Sequence, residues 1–166
     1  MHDIFKKRVV RGYIDKPNLK DFADEEIINA SESWIDFKLS LLKNERKALK
    51  KMDLPLQYMF LTSAIYQEIV EFGYEHVYLN LDHNMVDQAF KGFLDMRLPL
   101  FAQHMLLALE KAESNHQMML KSDEANHKGD PLNPSFALFD DINTFFRTQT
   151  ETFEKAYIAY ARKYFC

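Results

Sequence analysis

Apolar residues recur along this chain at the three- and four-residue spacings of helices, while the strict alternation that marks half-buried strands is scarce. The densest pattern lies in residues 56–80, LQYMFLTSAIYQEIVEFGYEHVYLN. There Met59, Phe60, Ile65, Ile69 and Phe72 follow a repeat close to 3.6 residues and predict a buried helix. Asp53 stands before it as a candidate N-cap, and Pro55 falls in the first turn, where its missing N–H costs nothing. Gly73 sits where such a helix needs a residue of positive φ to stop and turn. After it, Tyr74, Val77, Tyr78 and Leu79 resume an apolar surface at a new angle.

The same reading extends over the rest of the chain. Residues 1–20 hold no sustained period, carry Pro17-Asn18 as a turn, and read as a basic N-terminal arm; residues 21–166 read as a single helical domain. From Asp21 or Asp24 a helical pattern runs through Ile27, Ile28, Trp34, Phe37, Leu41 and Leu42, with Ser31 to Ser33 as a candidate interruption and Leu49 and Met52 as a candidate continuation. Asp82 offers an N-cap to a helix striped by Met85, Val86, Ala89, Phe90, Phe93 and Leu94. Pro99 opens the next, through Leu100, Phe101, Met105, Ala108, Leu109 and Ala112, with Met119 as its furthest reach. Gly129, Pro131 and Pro134 mark a long loop over 122–135, too near the end for a second core to follow. Phe136, Phe139, Ile142, Phe145 and Phe146 predict another helix. Thr148-Gln149-Thr150-Glu151 fits a capping box before a last helix that carries Phe153, Ala156, Tyr157, Tyr160 and Tyr164 on one side. The expectation is an all-α fold: one compact domain of about six or seven helices.

Composition narrows the class. A chain of 166 residues buries one sizeable core but not two, and 47% apolar residues with only four Gly and five Pro suit a helical domain rather than a disordered or turn-rich one. No run of about 18 apolar residues without charges is present, so no membrane span is expected. The N-terminal residues lack the apolar core of a secretory signal, and the single cysteine, Cys166, has no internal partner for a disulfide; both point to a reducing, cytoplasmic setting.

Net charge is −4, and its distribution is uneven. Lys6, Lys7, Arg8, Arg11, Lys16 and Lys20 make the start basic, and Lys43, Arg46, Lys47, Lys50 and Lys51 form a second basic run, read as a solvated helix face because Leu49 and Met52 fall on another side. Overall charge is of the wrong sign for a phosphate-binding protein, so direct nucleic-acid binding is not expected. The centre is acidic, with Glu68, Glu71, Glu75, Asp82, Asp87 and Asp95.

The run Tyr66, Gln67, Glu68, Ile69, then Phe72-Gly73-Tyr74, then His76, Val77, Tyr78 and Asn80 resembles a bacterial family of unknown function named after a DNA-mimic protein, whose members read Glu-Val, Asn-Gly-Gly-Phe, Gln-Phe-Phe and a closing Asn. Glu68, Gly73, Tyr74, Tyr78 and Asn80 match that pattern; Glu71 and Phe72 stand in place of the Asn and first Gly, and His76 in place of the Gln. The resemblance runs through the helix with Ala108 and Ala112 to the aromatic C-terminal helix near Tyr157 and Phe165. It implies an all-helical fold without an established catalytic site, structural roles for Gly73, Tyr74, Tyr78 and Asn80, and binding rather than chemistry.

Motifs for chemistry are sparse. Glu113-x-x-His116 and Glu124-x-x-His127 have the spacing that serves di-metal sites in bundles, yet the second lies in the Gly/Pro loop and the two further Glu-bearing helices are missing. His83 and Asp87 at i, i+4 are two ligands at most, which do not close a metal site. His76 and His104 sit beside apolar positions and read as hydrogen-bonded structural residues. No phosphate-binding Gly-rich loop, nucleophile elbow or zinc spacing is present, so neither catalytic residues, metal nor cofactor are expected.

The functional expectation is therefore a small cytoplasmic protein-binding module. Glu68, Glu71, Glu75, Asp82 and Asp87 would present carboxylates to a basic protein partner, and by the family resemblance that partner is a DNA-binding protein. Glu68, Glu71 and Glu75 would rise along a helix by about 4.5 and 6 Å, a spacing that can imitate a line of phosphates. An immunity or antitoxin protein, and a metal-dependent enzyme, are the alternatives.

Overall fold

Gly73 and Asp82 divide the middle of the chain as local chemistry dictates. The computed structural model describes residues 16–40, 45–120 and 135–165, in the helices α1 (Asp24–Ser40), α2 (Glu45–Leu49), α3 (Leu54–Phe72), α4 (Tyr74–Asn80), α5 (His83–Asp95), α6 (Pro99–Ser114), α7 (Ser135–Leu138), α8 (Asp140–Thr148) and α9 (Thr150–Phe165). Seven of them run for at least seven residues, and no strand occurs among the described residues, so the fold is all-α as expected. Residues 1–15 of the basic arm, the expected loop up to residue 134, Glu124-x-x-His127 and Cys166 lie outside the described residues.

The helix α3 is the hub: α1, α4, α5, α8 and α9 all pack on it. Its buried residues Leu56, Met59, Thr62, Ile65, Tyr66 and Ile69, with Leu61 and Ser63 beside them, cover most of its circumference, which is why its apolar pattern is the densest in the chain. Gly92 sets how near α5 comes. A Cβ added there would meet Thr62 Cγ2 at 2.7 Å and Tyr58 Cβ at 3.2 Å, so only a residue without a side chain fits.

Rings from five helices fill the centre. Tyr66 of α3 stacks on Phe153 of α9 with centroids 4.1 Å apart, Phe93 of α5 stacks on Phe101 of α6 at 5.6 Å, and Phe101 meets Phe146 of α8 edge-on at 5.3 Å. Offset and edge-to-face pairs of this kind contribute about 0.5–1.5 kcal/mol each beyond their buried area.

Gly73 has φ 89° and ends α3, as expected, and the fully buried Tyr74 begins α4. Asp82 caps α5, its Oδ1 accepting from the Asn84 N–H at 2.9 Å, and Pro99 opens α6. Between α5 and α6 the exposed Arg97 adopts φ 60°, with Arg97 N–H on the Leu94 carbonyl and Leu98 N–H on the Phe93 carbonyl. That pair of bonds is a Schellman ending, in a left-handed position usually given to glycine.

Other expectations need correcting. Asp53 stands at the N-cap of α3 but makes no capping bond; its Oδ2 instead accepts from the Tyr164 hydroxyl at 2.7 Å. Ser31 to Ser33 do not interrupt α1, because Ser31 is buried and its Oγ returns to the Ile27 carbonyl at 2.6 Å. The described part of that helix reaches Ser40 and helix resumes over Glu45–Leu49; the expected passage through Leu41 and Leu42 lies outside the described residues. Thr148 forms no capping box: it belongs to α8, where its hydroxyl donates to the Thr144 and Phe145 carbonyls. The α6 helix stops at Ser114, and residues 116–120 are helical again after a turn at Asn115, with Met119 buried. Phe72, Leu94 and Leu100 lie on the outside at 48–58% exposure, although each extends an apolar stripe. Leu19, near the end of the expected arm, is fully buried, and its carbonyl accepts from Arg162.

Candidate functional site

Three of the five acidic residues expected at a partner surface are drawn into local structure. Glu68 is half-buried with Oε2 3.3 Å from His76 Nε2, Asp82 is the α5 cap, and Asp87 pairs with Lys91 at 2.7 Å. Glu71 is exposed. Glu75, expected to be exposed, is buried at 6%. The cause is the break at Gly73: α4 restarts at a new angle, so Glu71 and Glu75 no longer share a helix face and Glu75 is carried inward between the buried Tyr74 and Val77.

The residues of the family-like motif take structural places. Tyr74 is fully buried and its N–H donates to Asn143 Oδ1 at 2.9 Å; the Tyr78 hydroxyl lies 3.2 Å from His116 Nδ1; Asn80 Nδ2 donates to the His76 carbonyl at 3.0 Å. His116 thus meets a tyrosine, not a metal set, and His104 binds the Leu100 carbonyl through Nδ1 at 2.8 Å while stacking on Phe145. Among the described residues, no three His, Cys, Asp or Glu side chains converge as metal ligands.

Among the described residues, two concavities offer places where something could bind. One is a groove of about 540 Å³ between α5 and α6, floored by Val86, Phe90, Met105 and Leu109 and rimmed by Asp87 and Glu113. Leu106 stands at its edge, 48% exposed. Its apolar floor is made of residues from the helical stripes of α5 and α6.

The other is a cleft of about 200 Å³ where α1, α3 and α9 meet, lined by Glu32, Asp36, Ser63, Gln67 and Tyr157. Ser63 Oγ donates to Glu32 Oε1 at 3.0 Å, and Gln67 Nε2 donates to Ser63 Oγ at 3.3 Å. The Tyr157 side chain is 1% exposed, and its hydroxyl has no hydrogen-bond partner. Burial, then the nearby Glu32 and Asp36 carboxylates, push its pKa far up, so the hydroxyl stays protonated. The sequence pattern places Tyr157 on the apolar side of the last helix but does not single out Glu32, Asp36 or Ser63, although Ser63 and Gln67, polar and four apart in the most apolar helix, were a signal.

No protein-family model, curated protein or solved structure matches this chain. No described helix is long and apolar enough to cross a membrane.

Proposed function

We propose that this chain is a cytoplasmic protein-binding module whose α5–α6 groove receives an amphipathic, basic segment of a partner protein. The observation that carries the reading is the groove itself: apolar side chains left open along two adjacent helices, with Leu106 half-exposed at the edge and carboxylates of Asp87 and Glu113 on the rim. An apolar floor holds the hydrophobic side of an entering helix, and rim carboxylates favour Lys or Arg flanking it. The Asp87–Lys91 pair is largely exposed and worth little, so exchanging Lys91 for a partner cation costs little. Glu71 adds negative charge to the surface on which the approaching partner is steered. DNA mimicry is not part of this reading, since Glu75 turns inward and the expected line of carboxylates is interrupted.

The test starts from a partner captured on the wild-type chain and identified by mass spectrometry. Its affinity is then titrated at two salt concentrations against wild type, Leu106→Glu and the double reversal Asp87→Lys with Glu113→Lys. Weakening by roughly tenfold or more in each variant, with salt sensitivity lost in the double reversal, is the expected result. Equal affinities across the three proteins would remove the groove as the binding surface.

A further inference from the structure

The cleft between α1, α3 and α9 shares no residue with the groove and has a different chemistry. Its acceptors come from three helices: Glu32 and Asp36 from one turn of α1, Ser63 and Gln67 from one turn of α3, and Tyr157 from α9. Helical spacing puts each i, i+4 pair on one face, so two carboxylates look across at a serine and a glutamine, with the tyrosine hydroxyl as a third side. Glu32 is already oriented by Ser63, and Ser63 by Gln67, so the carboxylate is held in place without its charge being neutralised. None of the described lining residues is a cation.

The Tyr157 hydroxyl is the independent sign of an occupant. Buried hydroxyls are almost always hydrogen-bonded, because leaving one unpaired forfeits its bonds to water without replacement. This one lines the cleft, buried and unpartnered, next to two negative charges. With its proton retained, the oxygen still has lone pairs to accept with.

We propose that this cleft is a binding site for a primary alkylammonium group, held between the Glu32 and Asp36 carboxylates and the Tyr157 hydroxyl oxygen. An ammonium carries three donors and no acceptor, which matches three acceptor groups arriving from different directions. A guanidinium prefers both oxygens of one carboxylate in a planar fork, and one oxygen of Glu32 is already taken by Ser63. For a metal ion, no third His, Cys, Asp or Glu joins the two carboxylates among the described residues. Space is sufficient: the cleft holds about 200 Å³, where one water needs about 10–15 Å³, so the head group enters with a short alkyl chain that lies against Phe60.

Calorimetric titration of the full chain with n-butylammonium chloride, paired with ring spectra of carbon-13-labelled tyrosine, tests the assignment. Saturable binding that shifts the Tyr157 signals is expected, weakened by roughly tenfold in Tyr157→Phe and in Asp36→Asn, since hydrogen bonds to charged groups contribute at about that level. Uncharged 1-pentanol, of similar length, should not compete. N-acetyl-lysine methylamide binding tighter than n-butylammonium would assign the site to a lysine side chain of another protein, and the reverse order to a free amine; either supports the site. No saturation, which leaves the cleft to water only, overturns it, as does equal binding of 1-pentanol or unchanged affinity in both variants. Both substitutions keep the side-chain shape, and Asp36 is exposed, so a fold check by circular dichroism separates lost binding from lost structure. Failure here leaves the α5–α6 groove untouched, because none of its residues is altered.

Discussion

Asn143 on α8 accepts the backbone N–H of Tyr74 at 2.9 Å, so a buried side chain from far along the chain satisfies the first donor after the α3–α4 break. The same amide leaves no room at the break itself: a Cβ on Gly73 would lie 3.0 Å from Asn143 Nδ2. One side chain therefore both supports the turn and requires it to be glycine.

Asn143→Ala is expected to destabilise the protein by about 1–3 kcal/mol, because it strands a buried N–H and opens space beside Gly73. Gly73→Ala should also cost more than about 1 kcal/mol, from its positive φ and from contact with Asn143. Since the two residues touch, the double variant should cost less than the sum of the single ones. Denaturant melts of the four proteins, with amide exchange at Tyr74, provide the check; strict additivity would mean that Asn143 does not brace the turn.

Gly92→Ala should destabilise by about 1–3 kcal/mol through overpacking, since its methyl group would press on Thr62 and Tyr58. Pairing it with Thr62→Ser removes the nearest methyl and should recover part of that loss. A melting temperature equal to wild type in Gly92→Ala would show that α5 moves away from α3 without penalty.

Arg97→Gly should stabilise by about 0.5–1 kcal/mol, because a left-handed backbone costs more for arginine than for glycine at an exposed helix ending. Thermal unfolding decides it, and a loss of stability would argue that the Arg97 side chain contributes there.

Acid should weaken the junction of α6 and α8. A hydrogen bond from Lys111, at 2.8 Å, holds the Asp141 carboxyl below the ordinary carboxylate range. Its folded pKa is thus lower than its unfolded one, so the stabilisation is present above pH about 4 and is lost as pH falls through the folded value. The Asp141 side chain is largely exposed, which limits the effect to less than about 1 kcal/mol. Comparing Lys111→Met with wild type by melting at pH 7 and pH 3 should show the difference between the two proteins shrinking at low pH.

The amino-acid order by itself determined what depends on neighbours within a turn or two. The all-α class, the stop at Gly73, the Asp82 cap, the Pro99 start and the aromatic face of the last helix all follow from periodicity and backbone preference, which act over a few residues. A 3.6-residue repeat states which residues share a face, but not whether another helix covers it. Phe72, Leu94 and Leu100 extend their stripes and stay outside, while Glu75 moves inside because the backbone turn at Gly73 re-aims the helix after it. Tertiary packing alone decided the rest. Asn143 beside Tyr74, Asp53 under Tyr164, and Tyr157 facing Glu32 and Asp36 join residues separated by more than sixty positions, and no local rule acts across that distance.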